Sequence, residues 1–578
     1  MSFIRSKLMT VYRSRLYPNY WDMLALLLVL AVIAIFAWNA RQMSTPYQLG
    51  ETIPISLKLS VLPFYAARTV VRMLIALLAS LLFTFIFGTW AAKSSKAQRL
   101  IIPVIDVLQS VPILGFLSVT VAGFIALFPG SMLGPECAAI FAIFTSQAWN
   151  MALGFYQTVR AVPREVQEAA NMLHLSSWQR FWRIEVPYSM PVLLWNAMAS
   201  MSAGWFFVVA AEAITVSNQE ILLPGIGSFI AVAIQAANMR AIGFAVLTMF
   251  VVIIIYDQLL FRPLVAWSEK FKAEQQATDD VAESWVINMF RRTRVIRDLG
   301  GQLARLFDAF VSIKWLAHES VKKKSVSQRQ ERFANVIWDG AVFMLGALAL
   351  GFLIYYTVSN FAIAEIEHVF LLGMVTTCRV FILILLCSLI WVPVGVWIGL
   401  RPRATEMAQP IAQILAAFPA NLFYPFIVIF IVHYHLSPNI WLTPLMILGA
   451  QWYILFNVIA GASALPKDLV QVVDNLGVVG WLRWWRLLLP GIFPYYVTGA
   501  LTAAGGAWNA SIVSEVASWG NQKLTATGLG AYISEYTTAG SFSHTVLGIG
   551  MMCLLVLTFN RLLWRPLYVY AENQFLLE

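Results

Sequence analysis

Long apolar stretches alternate with short polar segments along almost the whole chain of 578 residues. A helix of about 20 mostly apolar residues is long enough to cross the hydrocarbon layer of a membrane. The pattern predicts about twelve such helices, six in each half, and therefore an all-α polytopic membrane protein. We place them at 21–38, 69–92, 101–128, 133–158, 188–213 and 241–263, and at 336–358, 376–399, 410–432, 440–461, 491–514 and 544–566.

Composition and charge support this class. Hydrophobic residues make up 60% of the chain and charged residues 12%, whereas soluble domains average about 45–50% and about 25%. The net charge of +10 comes from short segments between apolar stretches, which is typical of cytoplasmic loops. We therefore expect both termini to be cytoplasmic and no nucleic-acid partner. The four cysteines show no CxxC spacing, so neither a disulfide nor a metal framework is expected.

The chain contains an internal duplication. Similar segments of the two halves lie at one of two separations along the chain. One is the separation of Pro163 from Pro466, and the other, slightly larger, is that of Arg72 from Arg379 in similar apolar stretches. An even number of spans gives both copies the same orientation, so the copies form parallel repeats with a pathway between them. We assign 1–267 to the first repeat, 268–335 to a cytoplasmic linker and 336–578 to the second repeat. Helical spacing of apolar residues in the linker predicts an amphipathic helix on the inner membrane face or on its own domain. A regulatory or partner-binding role for the linker stays open.

The longest basic loop of each copy lies between its fourth and fifth spans. These loops are residues 160–187 and 463–490, and we call them the first and the second coupling loop for the role that their resemblance to a known family implies. In the first, Pro163 and the acidic residues after it indicate a helix start, and Ser176 with Gln179 reads as a capping box that opens a second helix. The candidate coupling residues are Pro163, Glu165, Glu168, Ala169, Ala170, Leu173 and His174, and in the second copy Pro466, Asp468, Gln471, Asp474 and Gly477.

The sequence Glu168-Ala169-Ala170, followed by His174 and by Ile184-Glu185-Val186-Pro187, resembles the EAA loop of ABC importer permeases. The copies depart from the family pattern in complementary ways. The first has His174 where the family has Gly, and the second keeps Gly477 but replaces the EAA residues. Since His tolerates a positive φ better than most residues, the turn is expected in both copies.

The resemblance covers nearly the whole chain except the linker, and further motifs are similar to the nitrate, sulfonate, taurine and bicarbonate branch in a fused, duplicated form. It implies the type I ABC importer permease fold, with the coupling loops docking on two copies of an ATPase subunit. It also implies an extracytoplasmic substrate-binding protein. No P-loop motif occurs in the chain, so ATP and Mg²⁺ are expected on the partner ATPase and no cofactor, metal or catalytic residue on this chain.

Two ionisable pairs recur across the duplication at predicted membrane depth, where such residues are costly. Arg72 and Glu212 form one pair, and Arg379 and Glu515 form the other, all near the outer ends of their spans. Two interpretations stay open: an ion pair that fixes span two against span five, or arginines that attract an entering anion.

The leading function is the inner-membrane permease of an importer for a small anion. Fused permeases for iron or thiamine remain alternatives for the solute, and an ATP-independent secondary transporter remains an alternative for the class. An integral-membrane enzyme would need clustered catalytic carboxylates or histidines, which we do not find.

Overall fold

The computed structural model describes residues 20–43, 45–47, 53–216, 219–268, 271, 285–313, 328–520 and 522–575. These residues are almost entirely helical, and each copy adds one two-stranded antiparallel hairpin.

The described part of the first copy contains twelve α-helices, which include three short segments. They are Tyr20–Met43, Leu62–Phe83, Thr89–Lys93, Ser95–Ser110, Ile113–Leu127, Leu133–Arg160, Arg164–Met172, Ser177–Arg180, Val186–Ala211, Ile226–Gln235, Met239–Tyr256 and Arg262–Ser268. A 3₁₀ turn covers Leu59–Val61, and π-helical turns cover Thr84–Gly88, Phe181–Glu185 and Asp257–Phe261. The hairpin strands are Ala213–Val216 and Gln219–Leu222.

The described part of the linker holds the helices Trp285–Arg292 and Arg294–Val311. The second copy contains Gln328–Asn360, Ile363–Gly399, Pro402–Ala417, Tyr424–His433, Pro438–Trp441, Gln451–Ser463, Lys467–Asn475, Gly480–Arg483, Leu489–Ser514, Leu529–Thr538, Phe542–Phe559 and Arg565–Phe575. Its 3₁₀ turns are Ala420–Phe423 and Thr443–Met446, its π-helical turns are Trp484–Leu488 and Asn560–Trp564, and its strands are Val516–Trp519 and Gln522–Thr525.

Nine described helices are long and apolar enough to cross a membrane, or eleven if each of two bent pairs counts as one span. The span missing from the predicted twelve is the third, which we expected as one helix over 101–128. It is two helices with a break at Val111 and Pro112. Proline disfavours helical backbone in the residue before it, and Val111 is extended as a result.

The equivalent span of the second copy is also broken, which corrects the expected continuous helix over 410–432. Phe418 before Pro419 is extended, and the two halves meet at 78°. The predicted span over 440–461 is bent as well, by 44° between Pro438–Met446 and Gln451–Ser463, whereas its first-copy equivalent Leu133–Arg160 is a single helix. Pro444 in the second copy has no proline counterpart, and it lies in the 3₁₀ turn Thr443–Met446 that directly precedes the bend.

Each copy has its own buried core, and the broken third spans interlock the two copies. Trp205 and Trp508, which occupy equivalent positions in the two copies, belong to these two cores and are 1% and 2% exposed. Leu422, which follows the second break, belongs to the core of the first copy, and Leu114, which follows the first break, packs against the core of the second. The two breaks therefore place chain segments at the contact between the repeats.

Candidate coupling loops and translocation pathway

The first coupling loop folds as a short helix, a turn and another short helix. We expected Pro163 in the first helical turn; it instead immediately precedes helix Arg164–Met172, a difference of one residue. The side chain of Ala170 is buried, whereas that of Leu173 is 72% exposed. The loop therefore presents an apolar surface that the rest of the described chain does not cover.

The turn that ends this helix has the same geometry in both copies. His174 has a φ of 50° and its counterpart Gly477 a φ of 64°. The N–H of His174 donates to the carbonyl of Asn171, and the N–H of Gly477 donates to that of Asp474, at 3.0 and 3.1 Å. The prediction that the turn survives in both copies is confirmed, because His and Gly both adopt this left-handed backbone here.

The two coupling loops are stabilised differently. Ser176 and Gln179 form the predicted capping box, with bonds of 3.2 and 3.1 Å. In the second copy, Val479 stands at the capping position and makes no side-chain cap. There the ion pair between Arg483 and Asp474 spans the turn instead.

The remaining candidate coupling residues are also on the surface of the two coupling loops. The first-copy positions Glu165, Glu168 and Ala169 are exposed. Their second-copy counterparts Asp468 and Gln471 are also exposed, and Leu476, the counterpart of Leu173, is 72% exposed. Each copy therefore carries one short exposed helix, Arg164–Met172 or Lys467–Asn475, with acidic and apolar residues.

At the other end of the first copy, a buried cluster of four charged side chains joins spans two, four and five. Arg72 bonds to Glu212 at 2.6 Å and to both oxygens of Glu136 at 2.6 and 2.8 Å. Arg68 bonds to Glu136 at 2.7 Å. Arg72 is completely buried, and the two arginines are matched by two carboxylates, so the cluster is charge-balanced.

Sequence reasoning found Arg72 and Glu212 and missed Arg68 and Glu136. Glu136 could have been found because it is an acidic residue within a predicted span. The duplication does not mark it, since its second-copy counterpart is Asn439.

The second copy keeps the central pair and lacks the outer one. Arg379 lies 3.3 Å from Glu515 and donates to Asn439 at 3.2 Å. The counterpart of Arg68 is Val375. An arginine and a glutamate that pair in one copy are thus replaced together by uncharged residues in the other, which keeps both clusters neutral.

The Glu at the end of span five is also held by the Gly-x-Gly segment that follows. The N–H of Gly227 donates to Glu212 at 2.6 Å, and Thr69 donates to the same carboxylate at 2.7 Å while accepting from Ile226. A Cβ on Gly225 would lie 2.3 Å from the Glu212 carboxylate. The second copy repeats this arrangement with Thr376, Glu515 and Gly528.

A cavity of about 320 Å³ lies between the two copies. Aromatic rings line it together with the amides of Gln109, Asn150 and Asn509 and the carboxylate of Asp106. Within the first repeat, Asn150 accepts from Gln109 at 3.0 Å. Asn509 of the second repeat accepts from the N–H of Ile113 of the first at 2.8 Å, so this bond crosses between the repeats.

The three amide side chains that line this cavity have no amide at the equivalent positions of the other copy. The counterparts of Gln109, Asn150 and Asn509 are Ala416, Tyr453 and Phe206. A second cavity, of about 70 Å³, is lined by Ala416, Tyr453, Phe206 and other mainly apolar residues. The space between the repeats is therefore polar on one side and apolar on the other.

The fold and these sites define a duplicated membrane permease, and comparison with known proteins agrees. The family described as "Binding-protein-dependent transport system inner membrane component" matches residues 84–262 and 391–565. The chain belongs to this family. The starts of the two matches are as far apart as Arg72 and Arg379, and the ends are as far apart as Pro163 and Pro466.

The individual relatives are permeases of several solutes. The chain is 28% identical to the nitrate import permease protein NrtB of Leptolyngbya laminosa over 20% of this chain and 38% of that protein. It is 27% identical to the bicarbonate transport system permease protein CmpB of Synechococcus elongatus over 23% and 45%. It is 25% identical to the taurine transport system permease protein TauC of Escherichia coli over 31% and 62%. The matches span about half the length of these relatives.

This protein is therefore a multi-pass membrane permease in fused, duplicated form, as the resemblance implied. The family's description places its members in the inner membrane as components of binding-protein-dependent transport systems.

Proposed function

We propose that this chain forms the whole translocation pathway of an ATP-driven ABC importer in the bacterial inner membrane. In this proposal, both termini and both coupling loops are cytoplasmic. Two ATPase subunits that bind ATP and Mg²⁺ dock on the coupling loops, and an extracytoplasmic binding protein delivers a small anion of the nitrate, sulfonate or bicarbonate type.

The observation that carries the proposal is the repeated coupling helix. Two copies of one permease unit each present an exposed short helix that ends at a left-handed residue, His174 or Gly477. The exposed Leu173 and Leu476 occupy the same place in each. An exposed helix with an apolar side fits a groove on a partner protein.

The mechanism follows from the connection of each coupling helix to its bundle. Closure of two ATPases on ATP draws the two coupling loops together. Each loop continues directly into span five through the π-helical turn Phe181–Glu185 or Trp484–Leu488, so the movement passes to the bundles. The bundles rock against each other, open the pathway outward and reset after hydrolysis.

The polar cavity supports a pathway between the repeats. Amides can donate N–H groups to an anion, and Gln109, Asn150 and Asn509 lie along its wall. The negative charge of Asp106 interacts with Arg561 and Arg565, which offsets its repulsion of an anion.

We assign the Arg–Glu clusters at the outer ends to structure rather than to solute entry. Arg72 is fully buried and its donors are directed to carboxylates and a backbone carbonyl. A guanidinium in that state does not meet an entering anion. The clusters fix span two against span five within each copy.

The test is purification of the tagged chain from its native membranes in mild detergent. We expect a P-loop ATPase to co-purify, and ATP-dependent uptake of a small anion after reconstitution with the binding protein. The pair L173D and L476D should remove the ATPase without loss of folded permease, because both leucines are exposed. K523A, on the hairpin at the opposite end, is the matched control. Recovery of intact permease with no ATPase would overturn the proposal.

A further inference from the structure

The linker helix Arg294–Val311 lies against the end of the first coupling loop. The centroid of the Phe310 ring lies 5.1 Å from that of the Trp178 ring and 5.9 Å from that of the Trp182 ring. The centroid of the Phe307 ring lies 5.6 Å from that of the Trp182 ring. The indole N–H of Trp178 donates to the carbonyl of Phe310 at 3.3 Å. The contact therefore combines edge-to-face aromatic packing with a directed hydrogen bond.

The linker is itself attached to the first copy. Both of its described helices contact the first membrane-spanning helix, Tyr20–Met43. Val286 and Met289 of the shorter linker helix are buried, and so are Thr293 and Val311, which lie before and at the end of the longer one. The aromatic contact thus joins the first coupling loop to a body that is fixed on the first repeat.

The second coupling loop has the same two tryptophans without this cover. Trp481 and Trp485 are the counterparts of Trp178 and Trp182, and they are 72% and 57% exposed. The ring contact that they make within the described chain is with each other, at 5.9 Å. The duplication therefore supplies an internal comparison, in which the same surface is covered in one copy and open in the other.

A second contact is also confined to the first copy. Lys93, at the end of span two, pairs with Glu185 of the first coupling loop at 2.8 Å. The counterparts of these two residues are Leu400 and Leu488. The first coupling loop is thus restrained from two directions, by span two and by the linker.

We propose that the linker is a one-sided clamp that restrains the first coupling loop and leaves the second free to move. The clamped loop moves as one body with the linker and the first membrane helix. The open loop takes up most of the displacement when the ATPases close, so the two ATPase contacts are mechanically unequal. The restraint is a property of this chain alone, and its consequence for the ATPases rests on the proposed function.

The restraint is measured by hydrogen exchange of the full chain in lipid nanodiscs without any partner. We expect the backbone of residues 176–186 to exchange more slowly than that of 479–489. The pair F307A and F310A should raise exchange in 176–186 about tenfold and leave 479–489 unchanged. The matched control is L303A with L306A on the same helix, whose side chains are 64% and 66% exposed.

The difference in rate between the loops is not by itself decisive, because Ser176 also caps the first loop. The linker variant isolates the clamp, since it leaves the cap intact. Unchanged exchange in residues 176–186 of F307A/F310A, with the permease still folded, would overturn the proposal. An equal rise in both loops would do the same, because it would indicate general loosening.

The consequence is measured in the complex with its ATPase. L173D and L476D, made singly, should lower ATP hydrolysis to different extents, and F307A/F310A should make the two losses more equal. Equal losses in the unmodified chain would refute the unequal coupling. Failure of any ATPase to bind would refute the proposed function and leave the exchange result standing.

Discussion

The paired replacement of charges between the two copies makes a quantitative prediction. Arg68 and Glu136 form a buried ion pair in the first copy, where the second copy has Val375 and Asn439. The three variants R68V, E136N and R68V/E136N rebuild the second-copy residues in the first copy, one at a time and together. We expect the double variant to be more stable than E136N alone.

The magnitude follows from the contacts. In E136N, Arg68, which is 4% exposed, loses its carboxylate, and Arg72 loses two hydrogen bonds. Breaking a buried pair by removing one partner costs about 3–5 kcal/mol. In the double variant the orphaned charge is gone and an Asn can accept from Arg72, as Asn439 accepts from Arg379, so the cost falls to about 1–2 kcal/mol.

The expected coupling energy is about 2 kcal/mol or more, which corresponds to roughly a 30-fold change in an equilibrium constant. The assay is unfolding of the purified permease in mixed micelles of increasing denaturing detergent, followed by tryptophan fluorescence. The lifetime at a fixed elevated temperature replaces it if unfolding is irreversible.

Additive losses in the double variant would refute the reasoning. They would show that the two charges are not coupled and that their joint replacement in the second copy has another cause. A double variant that unfolds but regains stability when R72M is added would instead place the strain on Arg72.

Three further predictions concern the same sites. R72M should lower the unfolding free energy by about 3–5 kcal/mol, and R379M should lower it by about 1–2 kcal/mol. The difference is expected because Arg72 makes bonds to two carboxylates while Arg379 is partly exposed. The same micelle assay measures both losses. G225A should abolish folded protein, seen as loss of a monodisperse peak on size exclusion, since a Cβ there meets a buried carboxylate at 2.3 Å. G477V should cost about 1–2 kcal/mol locally, through its φ of 64°, and reduce ATPase stimulation by the binding protein.

Each of these has a control within the chain. G243A is the control for G225A, because no atom lies within 4 Å of a Cβ added at Gly243. Instability of both variants would point to helix packing in general. H174G serves for G477V, since Gly adopts the same backbone freely, and a loss of coupling in H174G would mean that the imidazole itself contacts the ATPase. Equal losses in R72M and R379M would contradict the difference in burial.

Much of the architecture was predictable because membrane spans and coupling loops depend on local sequence. Apolar length gives the spans, and Ser176 with Gln179 gives a helix start through bonds within one turn. The left-handed turn at His174 was predictable for the same reason, since its counterpart is a glycine. The broken third spans were not predicted, although Pro112 and Pro419 were visible, because proline within an apolar stretch is compatible with either a kink or a break.

The sequence by itself determined the solvent, the duplication and the family. Apolar content requires a membrane, and the two constant offsets between matching residues require two equivalent units. These properties are read from composition and spacing, which do not depend on distant contacts.

Only the tertiary structure decided which differences between the copies belong together. Arg68 pairs with Glu136 across 68 residues, and Trp178 meets Phe310 across 132 residues. Such contacts form between chain segments with no common local pattern. In the second copy both members of the ion pair are replaced, by Val375 and Asn439, and the counterpart of Trp178 is an exposed tryptophan, Trp481. A search for what the copies share finds the symmetric permease, whereas the folded contacts reveal where the two halves have become different.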